Sequence, residues 1–209
     1  MQEILKIIIF SIISLAVFLS FLLFTAGVLR RLVQGKQYRE LDRFRLEFHP
    51  LLNRLLHEKW PPAEDDLADL RAPAASVKWR AVEQVLLELA ADEAIAEKAH
   101  ELFRELGYIP HYEQRLEERT PIAQASAIDK LGAMRSREST DKLVQMLDSD
   151  NAEIVSVAVR ALSRIGTRET LAAILLAFPR LVEQSLVARK QVETCLLRYG
   201  QSAVPVLID

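Results

Sequence analysis

The sequence predicts an all-α protein, with an N-terminal transmembrane helix leading into a short solenoid of paired helices. Three observations carry that prediction. Glycine occurs six times in 209 residues, and three of these, Gly132, Gly166 and Gly200, lie 34 residues apart. Each closes a similar phrase: Ala127-Ile-Asp-Lys-Leu-Gly132, Ala161-Leu-Ser-Arg-Ile-Gly166 and Cys195-Leu-Leu-Arg-Tyr-Gly200. A small residue, a large apolar one and a glycine returning at a fixed period mark stacked helical units. Such units cannot bury an apolar face alone, so they lean on their neighbours and present a long surface to partners. Second, residues 7–29 form a run of 23 positions without a charge. At about 1.5 Å per residue that run crosses a hydrocarbon core of about 30 Å. Third, the remainder is rich in Ala, Leu, Glu and Arg and poor in glycine, the composition of helices.

Residues 1–29 are read as an N-terminal tail and membrane helix. The apolar run exceeds the signal-peptide core of about 7–15 residues and no Ala-x-Ala site follows, so it is expected to be retained. Only Lys6 and the amino terminus precede it, whereas Arg30, Arg31, Lys36, Arg39 and Arg43 follow closely. The positive-inside bias then leaves the tail outside and the C-terminal bulk in the cytoplasm. Residues 30–59 form a basic, mostly helix-compatible stalk with Gly35 and Pro50 as weak points. Arg30, Arg31, Lys36 and Arg39 are candidate contacts to lipid headgroups, at about 1 kcal/mol per cation near the surface. The same cations also serve as an ordinary topology signal. Residues 60–76, with three prolines and four acids between Trp60 and Pro73, read as a stiff polar linker too poor in large apolar groups to pack. Trp60 is a candidate anchor of the stalk on the first repeat.

Residues 77–209 are expected to hold three to four repeats, the last incomplete. Val77–Ala90 and Asp92–Leu106 are helix-forming, the second closed by Gly107. A short helix follows over about Pro110–Glu118. Thr120-Pro121 then pairs an N-cap with proline at the first helical position. That helix is predicted to stop at Gly132, and its partner to span about Glu138–Leu147. Asp150 is a candidate cap for the helix starting at Ala152, with Glu153 placed for a capping box. Ile154, Val157, Ala158, Ala161, Leu162 and Ile165 fall on one stripe at period 3.6. Shifted by 34 the stripe gives Ala123, Ala127, Ile128 and Leu131 in one direction, and Ala188, Val192, Cys195, Leu196 and Tyr199 in the other. Small residues at 127, 161 and 195 would let repeats approach closely. Thr167 is a candidate cap for a helix burying Leu171, Ile174, Leu175 and Phe178, which Pro179 is predicted to end. Ala203–Asp209 begins a further second helix.

These phrases resemble HEAT repeats, above all the bacterial HEAT-like type. The matching residues are Ala158-Val-Arg-Ala161-Leu-Ser-Arg-Ile-Gly166, Ala127-Ile-Asp-Lys-Leu-Gly132, and Cys195-Leu-Leu-Arg-Tyr-Gly200 with Ala203-Val204-Pro205, and the likeness covers about Asp92 to Asp209. The resemblance implies an α-solenoid that binds a protein partner. By likeness to bacterial membrane-anchored HEAT proteins, it implies a place in the inner (cytoplasmic) membrane. The implied partner is another membrane protein, such as an envelope glycosyltransferase or polysaccharide-synthesis component. The family's early first-helix arginine corresponds here to Pro121 and Val155 and survives only as Arg189. An inter-repeat charge ladder is therefore not expected, and apolar stacking must hold the array.

No catalytic constellation stands out, and neither a cofactor nor a small-molecule substrate is implied. His57-Glu58 and His100-Glu101 are the pair type through which deoxyhypusine hydroxylases, which resemble this fold, bind iron. Two pairs 43 residues apart in non-equivalent places supply too few ligands for a dinuclear site. His49 and His111 stand alone and read as surface residues. Residues 77–209 carry 17 Lys and Arg against 20 Asp and Glu, a net charge of −3, which argues against nucleic acid as partner. One cysteine, Cys195, excludes an internal disulfide framework. Arg135, Arg137, Arg160, Arg164 and Arg168 lie near the repeat turns and could form a positive ridge for an acidic partner segment, or a solvated face balanced by neighbouring acids such as Glu153 and Glu169. The reading from a different class is a HEAT-type enzyme or cofactor-binding protein, lyase-like or metal-dependent, which a metal assay and an absorbance spectrum would expose.

Overall fold

In the computed structural model the described residues are Phe18, Ser20, Phe21, Phe24, Thr25, 39–58, 60–184 and 186–199. They are helical almost throughout, and no strand occurs among them. Helix α1 runs through residues 39–57, passing Pro50 without a break. There follow α2 (Glu64–Leu70), α3 (Val77–Leu89), α4 (Ala96–Glu105), α5 (Tyr108–Arg115), α6 (Pro121–Ala133), α7 (Thr140–Gln145), α8 (Ala152–Ile165), α9 (Arg168–Glu183) and α10 (Arg189–Leu197). A 3₁₀ turn, Met146–Asp148, extends α7.

The predicted seam is the centre of the molecule. All six residues of the α8 stripe are buried, as are Ala123, Ala127, Ile128 and Leu131 of α6, and the two helices pack side by side along most of their length. Val155 and Val159 of α8 are buried as well, so α8 is covered over a wider arc than one amphipathic stripe. Cys195 and Tyr199 continue the seam, but Ala188 is exposed at the N-cap of α10.

The recurring glycines do different jobs. Gly166 takes φ 72° and closes α8, its amide donating to the Leu162 carbonyl. Gly132 was expected to end α6 but lies inside it. A Cβ built there would sit 2.5 Å from both Cα and Cβ of Ala161, so this glycine and this alanine bring two helix backbones together. The left-handed position after α6 falls to Arg135 instead, at φ 53°, with the Ser136 amide reaching back to the Leu131 carbonyl. An L side chain bears a cost in that region that glycine does not.

Other boundaries also move. Asn151, not Asp150, caps α8, its side chain accepting from the amides of Glu153 and Ile154. Thr120 occupies the cap position of α6 without a side-chain hydrogen bond, whereas Thr167 accepts from the Thr170 amide as expected. Pro179 does not end α9. Proline removes one amide donor, but Leu181, a residue beyond it and fully buried, keeps the helix in place to Glu183.

The predicted polar linker packs. Residues 64–70 form α2, and Leu67 and Leu70 enter the same apolar cluster as Phe48, Leu52, Leu55 and Leu56 of α1 and Trp79, Val82 and Leu86 of α3. Composition hid this because two leucines three residues apart, about one helical turn, suffice to fix a short helix. Trp60 is half-buried against the cluster, with the Lys98 ammonium 5.9 Å from its ring centre and bonded to the Leu56 carbonyl at 2.7 Å. It ties α1 to α4, as its position suggested.

Among the described residues no helix is long and apolar enough to cross a membrane. The span predicted at 7–29 lies outside them except for Phe18, Ser20, Phe21, Phe24 and Thr25, which are helical and exposed. Arg30, Arg31 and Lys36 also lie outside; Arg39 is exposed at the start of α1.

Candidate functional site

A groove crosses the C-terminal ends of α3, α6, α8 and α10. It encloses about 680 Å³. Leu87, Ala90 and Ala91 come from the end of α3, Gly132, Ala133 and Arg135 from α6, Ser163 to Gly166 from α8 and Arg198 from α10. The 34-residue period builds it, since helices in equivalent places end along one edge. Its floor is apolar or bare, and its rim is charged.

Two of the predicted ridge arginines, Arg135 and Arg164, meet at this groove. Arg135 holds Glu93 through two hydrogen bonds of 2.8 and 2.6 Å. That guanidinium keeps the Glu93 carboxyl below the usual carboxylate range, and the carboxylate raises the arginine in return. Arg164 donates to Asp129 at 2.9 Å, and Arg160, one turn earlier, reaches the same carboxylate at 3.5 Å. Arg137 pairs with Glu97 at 3.1 Å, and Arg168, exposed at the start of α9, is also engaged. Arg135, Arg137, Arg160 and Arg164 are thus tied in two clusters by acids that precede them in the chain, Glu93, Glu97 and Asp129. Arg198 was missed. It is exposed, forms no ion pair among the described residues, and stands one period beyond Arg164.

These pairs correct a second expectation. A charge ladder does link successive helices, built from other positions than the family's arginine. Beyond the pairs above, Lys130 meets Glu83 at 3.1 Å, Lys142 meets Glu113 at 2.7 Å and Arg180 meets Asp148 at 2.9 Å. Gln191 adds a neutral rung to Ser156 at 2.7 Å. Most of these ions are partly exposed, and each such pair contributes about 0–1 kcal/mol, so the apolar seam remains the larger contribution.

Glu83 differs, being buried. Its carboxylate accepts from the Tyr112 hydroxyl at 2.7 Å besides meeting Lys130. Burial, and then the Glu83 charge, push the Tyr112 phenol above its usual range, and the same two causes raise Tyr108, which donates to the Trp79 carbonyl at 2.8 Å. Trp79 is also flanked edge-on by His111, ring centres 5.0 Å apart. His111 is therefore half-buried rather than a surface residue, and burial, then Arg115, lower its pKa. These contacts form an internal brace.

The histidine pairs do not form a site. His57 and His49 are exposed. His100 is buried with Nδ1 3.1 Å from the Met134 carbonyl and Nε2 3.1 Å from Glu138, not Glu101. No group of three or more potential metal ligands comes together among the described residues.

Residues 109–180 match the family model of HEAT repeats. The match begins on α5, ends on α9, and contains the Gly132–Ala161 contact and the ladder through Asp129. No curated protein and no solved structure matches the chain. HEAT repeats generally mediate protein–protein interaction.

Proposed function

We propose that the chain is a single-pass, membrane-anchored HEAT-repeat scaffold or accessory subunit that docks a protein partner on the face carrying the groove. The observation that carries this reading is the groove itself: four helices of successive units contribute to it, as expected of a surface that a solenoid presents to another chain. The membrane part rests on the uncharged run of residues 7–29 and on the cations that follow it. Exposed rings of Phe18, Phe21 and Phe24, at 61, 66 and 70%, fit a lipid-facing helix. In this reading the repeats are cytoplasmic, the N-terminus lies outside, Arg30, Arg31, Lys36 and Arg39 meet lipid headgroups, and the host is a bacterial inner membrane. A membrane protein of envelope polysaccharide synthesis is the partner class that the family likeness suggests.

The test is affinity purification of the full chain from membranes in mild detergent. One stoichiometric partner is expected. Its absence from repeated preparations would remove the docking role. A reporter fused after Asp209 should be active on the cytosolic side, and activity on the other side would reverse the topology.

A further inference from the structure

We infer that the segment received by the groove is acidic and extended, with its carboxylates taken by Arg198 and by the Arg160–Arg164 pair. The inference rests on the docking reading and adds the chemistry of the partner. Although residues 77–209 carry net negative charge, the groove does not share that balance. Three of its lining side chains are guanidinium groups, Arg135, Arg164 and Arg198, and the single lining carboxylate is Glu93. Arg135 already occupies Glu93 through both nitrogens. Asp129 is shared between Arg160 and Arg164, which leaves one positive charge in excess there. Arg198 adds a second with no ion pair among the described residues. Among the described residues, Arg198 and the excess charge of the Arg160–Arg164 pair thus stand at a groove whose one lining carboxylate is already paired.

The floor supplies the rest. Leu87 offers apolar surface, while Ala90, Ala133 and Gly166 leave room for a main chain to lie close. The last carbonyls of α8 lie beyond the reach of amides in their own helix and can accept from the backbone amides of an extended segment, whereas the Leu89, Leu131 and Gly132 carbonyls at the ends of α3 and α6 already accept from turn amides. Those helix ends carry partial negative charge of about half a unit each, which acts only within the last turn and is screened by salt. Two whole charges on planar, bidentate donors outweigh it, and arginine geometry matches carboxylates. A segment alternating glutamate with leucine satisfies rim, floor and helix ends together.

The experiment uses the full chain in detergent and fluorescein-labelled 12-residue peptides of alternating Glu and Leu, Gln and Leu, or Lys and Leu. Anisotropy should show the Glu/Leu peptide binding at least about tenfold tighter than the other two, with affinity falling as salt rises. Arg198→Glu, on an exposed side chain, should weaken that peptide about tenfold and leave the melting temperature unchanged; Arg160→Glu should act in the same direction. Equal binding of all three peptides, or indifference to Arg198→Glu, overturns the inference. So does tighter binding of a single-stranded oligonucleotide of equal charge, which would make the groove a nucleic-acid site. Recovery of a stoichiometric partner that the Glu/Leu peptide cannot displace overturns the acidic assignment and leaves docking intact. Recovery of none defeats the docking role itself.

Discussion

Gly132→Ala is the most informative single change. Inside a helix, alanine is favoured over glycine by about 1 kcal/mol, so an uncrowded site would be stabilised. Here the new methyl would lie 2.5 Å from Ala161 Cα and Cβ and 3.2 Å from its carbonyl carbon. Ordinary carbon contacts begin near 3.5–4.0 Å, so α6 and α8 must separate by about 1 Å. The atoms in the way belong to backbone and to a Cβ, which no rotamer change can move. Overpacking of this kind costs about 1–3 kcal/mol, and the depth of overlap places Gly132→Ala at the upper end. Subtracting the helix preference leaves a net loss of about 2 kcal/mol, or about 4–8 °C in melting temperature for a domain of this size. Urea and thermal unfolding followed by circular dichroism would measure it. Adding Ala161→Gly should restore part of the loss, because one of the two closest atoms disappears. If Gly132→Ala proves as stable as the parent or more so, α6 and α8 do not meet as described.

Four further outcomes follow from named contacts. Glu83→Ala leaves the Tyr112 hydroxyl and Lys130 without their partner and should cost about 3 kcal/mol, whereas Glu83→Gln, which still accepts from Tyr112, should cost about 1 kcal/mol by urea denaturation; equal losses would mean that the hydrogen bond from Tyr112 contributes nothing. Tyr199→Phe removes hydroxyl contacts to Thr170 Oγ1 at 2.9 Å and the Leu162 carbonyl at 3.1 Å and should cost about 1 kcal/mol; no loss would detach α10 from the array. The Tyr199 phenol, pushed up to about 12 by burial, should stay protonated in a spectrophotometric titration until well above the usual phenol range. For His111 the sign runs one way: its folded pKa lies below the unfolded value of about 6.5, so below that pH the unfolded chain binds the proton more readily. Stability should therefore fall on acidification through about pH 6.5 towards the lower folded pKa, and His111→Gln should lessen that slope; an unchanged slope would refute the assignment.

The seam was legible because Ala127, Ala161 and Cys195 recur with their apolar neighbours, and a 3.6-residue stripe needs no knowledge of partners. Gly132 shows what periodicity cannot distinguish, since a packing glycine and a capping glycine look alike until the helix ends are placed. Leu67 and Leu70 were hidden by prolines and acids around them, although burial depends on where two side chains land rather than on average composition. The ladder through Asp129, Glu93 and Glu97 was illegible from the family pattern because its pairs join residues 31–42 apart in sequence, at offsets fixed by the crossing of helices. Arg198 could have been found by adding one period to Arg164.

Site-specific photo-crosslinking in intact membranes tests the docking role most directly. With the crosslinker at position 198, a single discrete adduct is predicted, absent when the probe is moved to exposed positions on α2. Adducts of the same size and yield from both places, or none from position 198, would contradict the proposal that this edge of the solenoid receives a partner.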